Sequence, residues 1–111
     1  MHEVLIVQEN AIATVVARGE LDAFAAPELE RAFGELENVP HLLVDLSAVS
    51  FMDSTAVGCV VRAARTCEAR SARVRIVLPA GAARRIFEIT TLDRALPVAD
   101  SRGAALAELS A

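Results

Sequence analysis

LLVDLSAVSFMDSTAVG, from Leu42 to Gly58, decides how the rest of the chain must be arranged. Leu42, Leu43, Val44 and Leu46 form an apolar run broken only by Asp45, the pattern of a strand buried on both faces. Such a strand is expected from about His41. After Ser47 to Ser50 come the apolar pair Phe51 and Met52 and then Asp53, Ser54 and Thr55, residue types that favour helix N-termini. Val57, Val60, Val61, Ala64 and Cys67 recur at spacings of three and four, which is one face of an α-helix. Ser54 therefore stands where a central strand passes into a helix.

That position admits two readings. In one, Asp53 or Ser54 caps the helix, its side-chain oxygen accepting from an otherwise unpaired backbone N–H and stabilising by about 1 kcal/mol. In the other, Ser54 is displayed at the carboxyl end of a strand for modification or contact, where open α/β sheets place their sites. Local chemistry does not choose between them.

Outward from this stretch, the chain alternates. Val4 to Val7 and Ile12 to Val16 are rich in β-branched residues, with Gln8, Glu9 and Asn10 as a polar turn between them, so an opening β-hairpin is expected, its second strand ending at Gly19. Pro27 suits a first helical turn, and Leu29, Ala32, Phe33 and Leu36 share one helix face. Asn38, Val39 and Pro40 lead into the central strand, and the helix from Ser54 reaches about Arg70. Val74, Ile76, Val77 and Leu78 read as another buried strand stopped by Pro79, and Ala82 to Ile89 as a helix with Ile86, Phe87 and Ile89 inward and Arg84 and Arg85 in solvent. A last strand near Leu96 and Val98 is restricted to a sheet edge by Pro97. Ala104 to Leu109 closes the chain as a helix capped by Asp100 or Ser101. The order ββαβαβαβα predicts an α/β fold, a small mixed β-sheet with helices packed on it, in one domain over residues 1–111.

Composition narrows the function. Hydrophobic residues make up 54% of the 111, but no uninterrupted apolar run approaches the roughly 18 to 20 residues of a membrane span. Met1, His2 and Glu3 run straight into the first strand pattern rather than a basic, apolar leader, so a cytoplasmic location is expected. A formal net charge of −4, with no dense basic cluster and no Trp or Tyr, argues against nucleic acid. Cys59 and Cys67 lie about 12 Å apart along one helix axis, beyond disulfide reach. No His or Cys spacing resembles a zinc site, so neither metal nor cofactor is expected.

Catalysis by Ser54 would need a base within about 3 Å. His41 begins the strand that leads away to Ser54, about 20 Å off, and His2 is terminal. The MDSTA stretch lacks the Gly two residues before Ser that a nucleophile elbow uses, and the five glycines are scattered singly rather than gathered in a phosphate loop. Asp45 and Asp53 read as a solvated strand end and a cap, rather than as an acid–base pair. No enzyme is expected.

Three segments together resemble a known family: GELDAFAAPEL from Gly19 to Leu29, VDLSAVSFMDSTAVG from Val44 to Gly58, and PAGAARRIFEITTLDRALPV from Pro79 to Val98. They are similar to the STAS domain of anti-sigma factor antagonists, with DLSAVSFMDST the specific part. The resemblance implies a non-enzymatic protein that binds an anti-sigma factor serine kinase when Ser54 is free and releases it when Ser54 is phosphorylated, with a phosphatase reversing the change. On the residues themselves, the exposed side of the helix through Thr55, Gly58, Cys59 and Arg62 is the natural extension of a partner surface at Ser54; the resemblance implies phosphorylation at Ser54, with Asp53 and Thr55 beside it and Asp22 near the same site. It leaves a second reading, a constitutive interaction subunit of a phospholipid-transport or other complex. The chain departs from the family's usual glycines at Ala56 and at Thr91, before Leu92.

Overall fold

A computed structural model describes residues 1–111. β1 (His2–Glu9) and β2 (Ile12–Leu21) form the opening hairpin, followed by α1 (Ala26–Glu35), β3 (His41–Met52), α2 (Ser54–Ala69) and β4 (Arg73–Val77). α3 (Ala82–Ile89), a short α4 (Leu92–Ala95), β5 (Val98–Ala99) and α5 (Arg102–Ser110) complete the chain. The five strands form one sheet in the order β1-β2-β3-β4-β5. β1 and β2 are antiparallel and every other pair is parallel, so the sheet is mixed.

Strand alternation explains how this sheet carries helices on both sides. Leu42, Val44 and Leu46 of β3, with Val74 and Ile76 of β4, point into the main core together with Leu29 of α1, Val60 of α2 and Phe87 of α3. Leu43 and Val77 point the other way, into a smaller core with Ala99 and with Ala105 and Leu109 of α5. From Leu42 to Leu46, β3 is thus covered on both faces, as its apolar run requires, while Ser47, Ala48, Ser50 and Phe51 further along it are exposed. β5 sits at the edge, where Pro97 lacks no needed donor: its carbonyl accepts from Ile76 N at 2.9 Å, and Leu78 N donates to Ala99 O at 2.9 Å.

Several expectations are corrected. β2 runs past Gly19 to Leu21, and β3 continues through Ser47–Ser50 to Met52. Gly19 bends rather than ends its strand, at φ 81°, and a Cβ there would lie 2.3 Å from the Met1 carbonyl oxygen. Asp45 is not solvated: it is 6% exposed, accepts from the Ser47 N–H at 2.9 Å and from the Ser47 hydroxyl, and lies 3.5 Å from Arg102 at the start of α5. Arg84 is not free in solvent, since its Nη1 donates to Leu78 O at 2.6 Å and Asp100 Oδ1 at 2.8 Å. Ile89, at the last position of α3, is 74% exposed and Phe87 0%. Ser101, rather than Asp100, caps α5 by accepting from Ala104 N at 3.1 Å.

Ala56 and Thr91, where the resemblance leads one to expect glycine, have distinct surroundings. Thr91 has φ 59°, the left-handed region that favours glycine, at a cost of about 1 kcal/mol for another residue. Ala56 is fully buried, so its methyl packs into the core and is withheld from any partner.

Phe87→Ala should lower the unfolding free energy by about 3–5 kcal/mol, whereas Ile89→Ala should change it by less than about 0.5 kcal/mol. Urea denaturation followed by circular dichroism measures both.

Candidate functional site

β2 and β3 are parallel and end together, Leu21 beside Met52. Their carboxyl ends are tied by a hydrogen bond from Asp53 N to Leu21 O at 3.0 Å. This places Asp22 and Asp53 at the same sheet edge. Each carboxylate is committed to backbone donors: Asp22 Oδ1 accepts from Phe24 N at 3.0 Å and Ala25 N at 3.2 Å, just before α1. Asp53, extended at φ −96° and ψ 178°, accepts from Ala56 N at 3.0 Å. It is the N-cap of α2, and its backbone carbonyl accepts the first helical bond, from Val57 N at 3.0 Å.

Because Asp53 takes the capping role, the Ser54 hydroxyl is not needed for it. Ser54 and Thr55 are both exposed, on the first turn of α2. Neither histidine approaches this hydroxyl as a base: His41 opens the opposite end of β3, and His2 Nε2 lies 2.9 Å from Glu28 in α1. The Ser54 hydroxyl is therefore displayed at the rim where β2 and β3 end, with the Asp22 and Asp53 carboxylates held by backbone donors close by.

Of the other predicted site residues, Gly58 is half-buried and Arg62 exposed on the same side of α2. Arg62 Nη2 donates to Glu30 of α1 at 2.9 Å. Cys59 is a correction: it is 2% exposed, with its thiol 3.9 Å from the Ala26 carbonyl and 3.6 Å from Glu30 Oε1. It packs between α1 and α2 and is not on the outer face. Burial, and then the Glu30 carboxylate, push the Cys59 thiol above the ordinary range; burial does the same to Cys67.

The structure adds residues that the sequence reading did not place here. Met52, Val57, Val61 and Ile86 line a groove of about 420 Å³ between α2 and α3, bordered by Ser54, Gly58, Arg62 and Thr90. Phe24 is 85% exposed and Phe51 46%, each within three residues of an edge aspartate. Alternation signals Phe51: with Met52 buried at 2%, its strand neighbour must face the other way. Phe24 has no comparable signal.

Family comparison agrees with this architecture, the STAS domain family matching residues 3–105. The chain belongs to the STAS domain family. Among curated relatives of this STAS domain, the anti-sigma-B factor antagonist of Listeria monocytogenes is 32% identical over 92 residues, covering 80% of each chain. The anti-sigma-F factor antagonist RsfB of Mycobacterium tuberculosis is 33% identical over 94 residues, covering 82% of this chain and 75% of RsfB. An anti-sigma factor antagonist from Mycobacterium paratuberculosis superposes with a TM-score of 0.89 at 28% identity, over 100% of this chain and 96% of that one. The Bacillus cell fate determinant SpoIIAA in its phosphorylated form shares the fold, with a TM-score of 0.75 at 22% identity over 96% of this chain and 99% of SpoIIAA.

The cap assignment is testable by stability. Asp53→Ala should cost about 0.5–2 kcal/mol and Ser54→Ala less than about 0.5 kcal/mol in urea unfolding. With both thiols held protonated above the usual range, iodoacetamide should label the native protein slowly at neutral pH. The rate should keep rising through the pH at which cysteines in the urea-unfolded chain have levelled off, as followed by mass spectrometry.

Proposed function

We propose that this STAS domain is an anti-sigma factor antagonist that docks an anti-sigma factor serine kinase through the edge around Ser54, and that phosphorylation of Ser54 ends the docking. The observation that carries the reading is the division of labour at the start of α2: Asp53 caps, and Ser54 is left exposed. Curated relatives named as anti-sigma factor antagonists support the same role. The docking face comprises Asp22, Asp53, Ser54, Thr55, Gly58 and Arg62, without Cys59. A phosphatase restores the binding form.

Phosphate on Ser54 adds about −1.5 to −2 charge at a helix N-terminus, where backbone N–H groups and the dipole favour an anion by roughly 0.3–2 kcal/mol. The fold is therefore unharmed. A partner carboxylate seated against the same edge meets repulsion of up to about 4 kcal/mol at 4 Å and an effective dielectric near 20. At 1.4 kcal/mol per tenfold, about 3 kcal/mol already weakens binding more than a hundredfold. The unmodified chain is thus the binder, and the chemistry of transfer belongs to the partner.

Ser54→Ala should bind the anti-sigma factor and take up no phosphate, while Ser54→Asp should bind more weakly by roughly tenfold or more, since one carboxylate carries part of the phosphate's charge. Calorimetry measures the binding, and mass spectrometry after incubation with the kinase and ATP measures the modification. A Ser54→Ala chain that still gains phosphate, or a Ser54→Asp chain that binds like the parent, overturns the switch; the latter result describes a constitutive interaction subunit.

A further inference from the structure

Ser54, Gly58 and Arg62 follow one another at intervals of four along α2, so they form a single stripe. All three border the groove between α2 and α3, and Arg62 is the one cation among the residues lining it. Its side chain does not extend straight into solvent. Nη1 lies only 3.3 Å from the point where a Cβ on residue 58 would stand, so the guanidinium folds back over the preceding turn, toward the N-terminus of the helix, as long helical side chains do.

Gly58 leaves that position uncrowded, since a Cβ there would press the arginine nitrogen aside by a few tenths of an ångström. Glycine inside a helix costs about 1 kcal/mol relative to alanine, and Gly58 has no positive φ to justify it. Beyond the helix's own backbone and the two adjoining residues, the only atom within 4 Å of the missing Cβ is that arginine nitrogen. The glycine keeps a channel open along the stripe, with Ser54 one turn away, about 6 Å along the axis.

We infer that Arg62 is the internal receptor of the phosphate, exchanging Glu30 for phosphorylated Ser54 across the Gly58 gap. The inference rests on the modification of Ser54 proposed above and adds what holds the modified state. The present partners are easily given up: the Arg62 and Glu30 side chains are 64% and 58% exposed, such surface pairs are worth about 0–1 kcal/mol, and the second contact of Nη2, to Cys59 Sγ, is 3.6 Å long. A phosphate offers more: a charge near −2, three acceptor oxygens and a geometry that the guanidinium fork meets with two parallel hydrogen bonds. Arg62 then spans the groove beside Met52, Val57, Val61 and Ile86, and the phosphate is pinned at its mouth. Phosphorylation thereby covers an apolar surface as well as adding charge, and it detaches α2 from its polar tie to α1.

The test installs phosphoserine at position 54 by genetic encoding, so neither kinase nor partner is required, and follows its phosphorus NMR signal through a pH titration. A nearby guanidinium favours the dianion. The midpoint in the wild-type background should therefore lie about half a pH unit below that of Arg62→Gln. Arg65→Gln removes an equal charge from the same helix about 16 Å from Ser54, where the arginine already pairs with Glu68, and should leave the midpoint at the wild-type value. Asp22 and Asp53 are present in every sample, and their effect cancels. Coincident midpoints for wild type and Arg62→Gln, or for Arg62→Gln and Arg65→Gln, overturn the clamp. Those results leave the switch standing, because it is judged separately by the binding of the Ser54 variants.

Discussion

Residues Leu42–Leu46 of β3 are shut away from water on both faces, and the arrangement of the molecule follows from that constraint. A strand with Leu42, Val44 and Leu46 in one core and Leu43 in another has to lie inside a sheet and to carry helices above and below. β2 and β4 flank it, α1, α2 and α3 close one side, and α5 closes the other. The carboxyl end of such a strand emerges at a rim, where the chain must turn at once into α2. Asp53 makes that turn by accepting from Ala56 N, and the residue behind it is displayed as a result. The exposed hydroxyl at Ser54 thus depends on burial some ten residues upstream.

Much of this was legible in the residues, because the informative features are periodic or local. The α3 boundaries at Ala82 and Ile89 coincide with those read from the sequence, the stop at Pro79 being one bound and the apolar spacing the other. The specific MDST stretch pointed to the rim position and to the family. What could not be read there was which of two neighbouring side chains caps the helix. That depends on the extended backbone at Asp53, held by its bond to Leu21 O, and no local preference separates Asp from Ser at such a position.

Two of the errors, at Asp45 and Arg84, share a cause, since each involves a partner distant in sequence. Asp45 looked like a polar interruption because Arg102, which lies against it, is far along the chain. Arg84 looked solvated because its acceptors, Leu78 O and Asp100, come from segments on either side of its helix; a long aliphatic stem lets a charged head reach such partners. Ile89 looked inward because spacing alone does not say where a short helix leaves the core. Cys59 looked outward because α2 packs on the sheet and on α1 together, so its buried face, which includes Ala56, Ala63 and Cys59, is wider than a single apolar stripe.

The smaller core also stands apart from the groove beside Ser54. Leu43, Val77, Ala105 and Leu109 meet on the side of the sheet served by α5, and none of them borders the groove or the rim that holds Ser54. Exposed side chains at the rim, such as Ser54, Thr55 and Arg62, enter neither core, so changing them leaves the packing beneath α5 untouched. The surface of the rim can thus be varied on an interior that stays the same.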